Sequence, residues 1–498
     1  MNLLRGISYV LFSRFATVIV YILMTPFLVR FLGIGYGEFA FMNSMLALMV
    51  VFLDGIVFDG LRKYIAEEGH GSDWKDTVFG FYTRVTFFGI SILICGLLLA
   101  VQTGLVESAL GPAFELYFYL LALMVFVRQF FFLVRSTLMG LGLEQLSEPL
   151  EALRPLIFGV LGVSFAYIGW GVAGVLLADV ISVVVVSAAG AVTTVRRIDL
   201  RSTFSLAPAS FPRQKLLTFN TYSILLHFLV ISLYHIDVLM LQLISGSAQV
   251  AYYKAALVVA EFLWMVPIAL QTALVHHMSE LWSKEDTELI SQIMTRITRY
   301  TLLLLLLLAI GIATLAENFV NLYFGADFAP TVTPLLILLP GTLAYAVARP
   351  IISTGVGKGT LRVLVTATGA AALINVVLNA FLIPQAGMVG AAIATSIGYG
   401  SMLAFHLIGA KYIGFNPLID LRLSRIFIAV AATVPVLIVI ESAISSAILT
   451  LVVVPPVGFV VYSVVALKAG AIDLAEILDL LDRLPVRVPI RLRSFIES

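Results

Sequence analysis

The stretch NVVLNAFLIPQAGMVGAAIATSIGYG, Asn375–Gly400, decides how this chain is read. An apolar run closes at Pro384, a turn of a few residues follows, and a second apolar run opens on small residues. The pattern has a fainter copy: GMVGAAIAT at Gly387 echoes GVAGVLLAD at Gly171, 216 residues earlier. RSTLMGLG from Arg135 and RPIISTGVG from Arg349 repeat at nearly the same spacing, with Gly140 and Gly355 215 residues apart. Two unrelated segments sharing one offset imply a duplicated unit of about that length.

Composition sets the surroundings of that unit. The 498 residues are 61% hydrophobic and 12% charged, against about 25% charged in a soluble domain. The apolar residues fall in blocks of roughly 20, the length that crosses ~30 Å of hydrocarbon at about 1.5 Å per residue. A membrane barrel would instead show short alternating segments. The expected fold is an all-α polytopic membrane protein with about fourteen spans, at 7–31, 38–60, 78–102, 113–139, 150–169, 171–193, 216–243, 249–276, 299–317, 332–355, 361–384, 387–410, 424–444 and 447–467. The first apolar run, reaching about Val29, is too long for a signal-peptide core and reads as a retained span. The single cysteine, Cys95, excludes an intrachain disulfide, and the net charge of +1 gives no reason to expect nucleic acid.

Basic residues set the orientation. With the N-terminus in the cytoplasm, the inside segments hold Arg5; Arg62, Lys63 and Lys75; Arg196, Arg197, Arg201, Arg213 and Lys215; Lys284, Arg296 and Arg299; Lys358 and Arg362; Lys411, Arg422 and Arg425; and Lys468, Arg483, Arg487, Arg491 and Arg493. These are 22 of the 30 basic residues, while the outside segments receive only Arg30. The positive-inside rule then places both termini in the cytoplasm of a multi-pass cell-membrane protein. The outside loops are short, and the longest, around Glu317–Thr331, offers no folded core for an external catalytic domain. The expected organisation is an N-lobe at 1–200, a linker at 201–215 containing Pro208 and Pro212, a C-lobe at 216–410, spans thirteen and fourteen at 411–467, and a tail at 468–498. Six spans per repeat is an even number, so the halves enter the membrane in the same sense, related by an axis along the membrane normal. In the tail, Leu474, Ile477, Leu478, Leu481 and Leu484 share one helical face opposite Asp473, Glu476, Asp479 and Asp482. That pattern reads as an amphipathic helix against the protein's own underside, with binding to an assembly partner as the alternative.

Charges inside spans carry the functional signal, because a central basic side chain costs roughly 2.5–3.5 kcal/mol on insertion scales. Arg84 and Arg154 lie near span ends and are expected to snorkel. Arg14, Arg128, Arg135 and Arg349 fall at mid to inner depth, with Arg349 the repeat counterpart of Arg135. Their guanidinium groups suit a cavity that takes a phosphate-bearing ligand; structural pairing with Asp54 or Asp59 is the alternative. Lys254, near the outer end of span eight, fits a site that must later face outward. Among the acids, Glu261, Asp237 and Asp179 are candidates for coupling to Na⁺ or H⁺; for Glu261, an ion pair with Lys254 is the competing reading. His276 and His277 are adjacent at a span end without an HExxH pattern, so no metal site is expected. GVGKGT at Gly355 lacks the first glycine of a phosphate loop and follows a span, not a strand. Nothing points to a cofactor or to an enzyme.

Three segments resemble a known group in order along the chain. They are SRFATVIVYILMTPFLVRFLGIGYGEFAF at Ser13–Phe41, HIDVLMLQLISGSAQVAYYKAALVVAEFLWMVPIAL at His235–Leu270, and NVVLNAFLIPQAGMVGAAIAT at Asn375–Thr395. They look like the polysaccharide-biosynthesis flippases (O-antigen flippase or polysaccharide transporter family) of the multidrug/oligosaccharidyl-lipid/polysaccharide superfamily. The resemblance covers about residues 1–465. It implies two six-helix lobes around a basic cavity. It also implies alternating access that carries a polyprenyl- or dolichyl-linked oligosaccharide to the outer leaflet for surface-polysaccharide synthesis. In related lipid-linked precursor flippases, cationic residues on spans one, two and eight bind the pyrophosphate. Arg14 and Lys254 fall on matching spans, whereas span two carries Asp54 and Asp59 and no arginine. The implied partners are the lipid-linked oligosaccharide, membrane lipids, Na⁺ or H⁺, and glycan-assembly proteins at the C-terminal helix. A drug or cation antiporter of the same superfamily is the main alternative, and a membrane-embedded glycan polymerase or ligase a weaker one.

Overall fold

The computed structural model describes residues 2–69, 71, 73–473 and 476, with side chains from Thr17 onward apart from that of Ser202. Helix is the only regular structure among them, as expected of a chain whose backbone polar groups must be satisfied inside lipid. Twelve helices among the described residues are long and apolar enough to cross a bilayer. One of these, Leu361–Ile413, is two spans joined at a break, and Asn2–Leu32 adds another through its apolar part Thr17–Leu32. Fourteen spans result. They are α1 (Asn2–Leu32), α2 (Gly35–Ala66), α3 (Trp74–Gln102), α4 (Ala113–Gly140), α5 (Glu144–Tyr167), α6 (Gly171–Val195), α7 (Thr221–Ser245), α8 (Ser247–Ser283), α9 (Thr287–Tyr323), α10 (Val332–Lys358), α11 (361–386), α12 (388–413), α13 (Leu423–Ala443) and α14 (Ala447–Lys468).

The hairpin of α11 and α12 is tighter than the few-residue turn expected from sequence. Helical geometry runs almost unbroken, and the one non-helical residue is Gly387, at φ 53° and ψ −130°. Positive φ costs an L-residue roughly 1–2 kcal/mol and glycine little. Three residues on, a Cβ at Gly390 would lie 2.2 Å from the carbonyl oxygen of Leu382, so the returning helix touches the outgoing one backbone to backbone. The earlier copy repeats the positive φ, with Gly171 at 59°, and is also crowded three residues on, where a Cβ at Gly174 would meet the Cβ atoms of Trp170 at 2.5 Å and Phe165 at 3.2 Å. The 216-residue offset thus recurs in the backbone as well as in the letters.

Clustering of contacts gives two compact units: residues 1–255 with 368–395, and residues 256–367 with 396–498. In the first, α1 packs on α5, α5 and α4 on α6, and α2 on α7. The segment between α6 and α7 is also part of this unit's packing: Phe211 is buried against Trp74 and Phe81 of α3, with ring centroids 5.4 Å apart in both cases. In the second unit, the latter part of α8 and all of α9 pack on α10, while α13 and α14 pack on each other and on α9.

Two irregularities interrupt spans. A π-helical turn occupies Gly55–Asp59 in α2, directly after Asp54, and π-turns are frequent at functional sites. A 3₁₀ turn occupies Glu261–Trp264 in α8.

Candidate functional site

The first unit gathers charged and polar side chains from both halves of the sequence. From α2 come Ser44 and Asp54, from α4 Arg128 and Gln129, from α7 His235, and from α8 Lys254. The His235 Nδ1 lies 3.0 Å from the Ser44 Oγ, and the charges of Lys254 and Arg128 lie within electrostatic reach of its ring. Arg128 also lies within reach of Asp54, whose Oδ1 accepts a 2.5 Å hydrogen bond from the Gln129 Nε2. The guanidinium of Arg128 sits 5.8 Å from the centre of the Phe132 ring. Gln129 and Ser44 are buried, whereas Arg128, His235 and Lys254 are half-buried. Of the basic residues singled out from sequence, Arg128 and Lys254 are the two brought to one place. His235 joins them, although the histidines had not been read as a site. Its signal was the HID triplet, which sets two ionisable side chains close together in a mostly apolar span.

A second cluster adjoins the first, through Asp237, two residues from His235 on α7, and Tyr253, next to Lys254 on α8. Asp237 is fully buried. Its carboxylate accepts from the Tyr253 hydroxyl, from the Thr395 Oγ1 at 3.0 Å, and through Oδ1 from the Val238 N–H at 2.7 Å. The Asn375 Nδ2 donates to the Thr395 Oγ1 at 3.3 Å, and the Asn379 Nδ2 to the Asn375 Oδ1 at 3.1 Å. Lys254 is within electrostatic reach of Asp237, linking the two clusters. An ionised carboxylate at this depth is costly unless satisfied. Oxygen atoms of Asp237, Tyr253 and Thr395 thus converge within hydrogen-bond distance of one another. Among the described residues no group of three or more His, Cys, Asp or Glu side chains comes together to hold a metal.

The remaining sites are engaged elsewhere. Arg135 donates to the Glu148 Oε1 at 2.9 Å, approaches Glu151 at 3.8 Å and stacks on Phe58 at 5.3 Å, so its acidic partners come from α5 and not from α2. α5 starts at Glu144, earlier than the expected 150, so Arg154 lies nearly three turns into the helix. There it pairs with Asp179 of α6 at 3.6 Å, which gives Asp179 an ion-pair partner. In the second unit, Arg349 donates to the Gln271 Oε1 at 3.1 Å and lies over the rings of Tyr345 and Trp264 at 4.7 and 5.1 Å. Glu261 opens the 3₁₀ turn of α8, and the division between the units falls between it and Lys254. Arg14 belongs to α1, and its side chain lies outside the described residues.

Most of the 468–498 tail also lies outside the described residues, but Asp473 and Glu476 do not. The Glu476 carboxylate accepts from Arg299 and from the Tyr300 hydroxyl, and lies 3.7 Å from Arg296. Arg299 is only 2% exposed and also reaches Asp420 at 3.1 Å. Desolvation tends to raise the Glu476 carboxyl, but the hydrogen bonds from Arg299 and Tyr300 and the charges of Arg299 and Arg296 outweigh it, so the group lies below its ordinary 4.5. Glu476 therefore sits against the protein's own surface.

The MatE family description matches residues 223–381, the stretch that carries His235, Asp237, Lys254, Glu261, Arg349, Asn375 and Asn379. A curated relative, the uncharacterized membrane protein MJ1068 of Methanocaldococcus jannaschii, is 24% identical over 254 residues, and the match covers 50% of each chain. The match thus spans about half the length of that relative. Among solved structures, the lipid II flippase MurJ in an inward closed conformation superposes with a TM-score of 0.74 at 14% identity, covering 94% of this chain and 99% of that one. An inward-facing multidrug resistance MATE family transporter gives 0.65 at 18% identity, covering 80% and 94%. The Vibrio cholerae MATE transporter VcmN gives 0.57 at 14%, covering 83% and 96%. The chain is a multi-pass membrane protein with the fold of these proteins, and its residues 223–381 match the MatE family description.

Proposed function

We propose that this chain is a flippase that carries a lipid-linked oligosaccharide, through its phosphate or pyrophosphate, from the cytoplasmic to the outer leaflet by alternating access. The observation that carries the reading is the grouping of Arg128, Lys254 and His235 beside Ser44, drawn from both sequence halves. Two fixed cations with a hydroxyl and an imidazole form a site for an anion with several oxygens. Arg14 is the expected further cation on α1, and Arg135 and Arg349 hold the surrounding helices. The lobes at 1–200 and 216–410 move as the two halves of the cycle, with both termini in the cytoplasm of the cell membrane.

The Asp237 cluster supplies coupling. A proton or Na⁺ taken up among Asp237, Thr395 and Asn375 changes the charge beside Lys254, and so the affinity of the anion site. Glu261 is a second candidate coupling group. A drug or cation antiporter is the competing reading, favoured by the MatE match and by the buried acid Asp237 within that stretch. Deleting the gene and locating its lipid-linked glycans by leaflet separates the two. Flippase function predicts intact lipid-linked glycan accumulating on the cytoplasmic face. Normal glycan export with raised sensitivity to cationic drugs supports the antiporter instead.

A further inference from the structure

Phe204 and Leu206 are the most exposed large apolar side chains among the described residues, at 92% and 86%. Neither belongs to a span. Exposed apolar residues on spans face lipid as a matter of course; these two lie on the segment between α6 and α7 and require another explanation.

Their backbone is held at a definite height along α3. Asp199 donates its N–H to the Asp76 Oδ1 at 2.9 Å, near the start of that helix. Eight residues further up, about 12 Å along the axis, the Arg84 Nη1 donates to the carbonyls of Thr203 and Ser205 at 3.0 and 2.6 Å. Arg84 therefore clamps the carbonyls of the two residues that flank Phe204, whose own N–H bonds back to the Arg201 carbonyl at 3.0 Å. The segment then returns: Arg213 holds the Ala207 carbonyl at 2.8 Å, and Phe211 packs beside Trp74. Residues 203–206 are the tip of this excursion.

The height of the tip follows from α3. No charged residue occurs between Arg84 and Glu107. The 29-residue helix ends at Gln102, and the ~30 Å hydrocarbon layer takes about 20 residues of it, which places its near boundary beside Arg84. The clamp thus sits where hydrocarbon meets headgroups. Arg196, Arg197 and Arg201, all exposed, lie on the approach to the tip.

We propose that residues 203–206 form an interfacial wedge. Phe204 and Leu206 insert into the leaflet on the linker's side, and Arg196, Arg197 and Arg201 rest on its anionic headgroups. The segment joining the two sequence halves is then a lipid-contact element instead of a tether in water.

Spin labels test this in the full chain. In a Cys95→Ala background, nitroxides are placed singly through Phe204→Cys, Leu206→Cys and, as a headgroup reference, Arg197→Cys. The protein is studied in nanodiscs of phosphatidylethanolamine and phosphatidylglycerol. Expected is an oxygen-to-nickel-chelate accessibility ratio at 204 and 206 several-fold above that at 197, falling when phosphatidylcholine replaces the anionic lipid. Nickel accessibility at 204 and 206 equal to that at 197 overturns the wedge. So does shielding of both labels from oxygen and nickel alike, which would place them under protein, either a second copy or a soluble partner. An unchanged ratio in neutral lipid overturns the headgroup part.

Discussion

Arg128 and Arg135 lie two turns apart on α4, yet their surroundings give them different work. Arg135 is the partner of Glu148, which is only 2% exposed. Removing one member of a buried pair strands the other, at about 3–5 kcal/mol. Arg135→Ala is therefore expected to lower the thermal midpoint of the purified protein, with any transport loss following from that. Arg128 and Lys254 have half-buried side chains, and the acids within their reach, Asp54 and Asp237, keep hydrogen bonds from Gln129 and from Tyr253 and Thr395. Their alanine variants are expected to fold normally and to bind a phosphate-bearing lipid roughly 10- to 100-fold more weakly, the loss of a charge-assisted bond worth about 1.5–3 kcal/mol. Tight binding by both single variants and by the double variant would remove the anion site. Glu476 gives a pH prediction. Its carboxyl lies below 4.5 when folded, so the contact's stabilisation is present above 4.5 and is lost as pH falls through the lower folded value. The melting difference between wild type and Glu476→Gln is expected near neutral pH and should close under acid; a difference independent of pH would mean the carboxylate charge is irrelevant. Which charges would be cargo contacts was only partly legible. Spacing placed Arg128 and Arg135 on one face of one helix, but could not tell that Glu148 lies opposite one and His235 near the other. Those partners come from the packing of α5 and α7.

At the scale of elements, the α11–α12 hairpin was legible because its requirements are local. Pro384, Gly387 and Gly390 sit where a span must reverse, and the same spacing occurs at Gly171 and Gly174. Gly390→Val should clash with the Leu382 carbonyl and sharply reduce the yield of folded protein. Gly400→Ala, on the same helix with open space around its position, should be nearly neutral by yield and melting. Equal behaviour of the two would mean that the close approach is unimportant. Other elements left no local trace. The π-turn at Gly55–Asp59 and the 3₁₀ turn at Glu261–Trp264 interrupt sequences that read as ordinary apolar helix. The start of α5 at Glu144 was hidden because a charged first turn looks like a loop in a hydropathy reading, and the pairing of Arg154 with Asp179 of α6 could not be read from spacing. The 194–215 segment read as a linker from its prolines, while its attachment to α3 depends on Asp76 and Arg84, more than a hundred residues away.

For the whole molecule, fourteen spans and a basic bias to one side follow from composition, because hydrocarbon admits few alternatives to apolar helices. A reporter fused after Ser498 should register in the cytoplasm, and an external signal would reverse the orientation. The cargo is decided by chemistry that no span count contains. The measurement closest to it uses the purified chain in liposomes carrying a fluorescent sugar on a polyprenyl pyrophosphate, with a membrane-impermeant quencher added outside. The wild-type protein should bring the inner-leaflet pool to the quencher much faster than protein-free liposomes do, and Arg128→Ala and Lys254→Ala should slow this markedly. Quenching no faster than in protein-free liposomes, from a preparation that still exchanges organic cations for Na⁺ or H⁺, would contradict the flippase assignment.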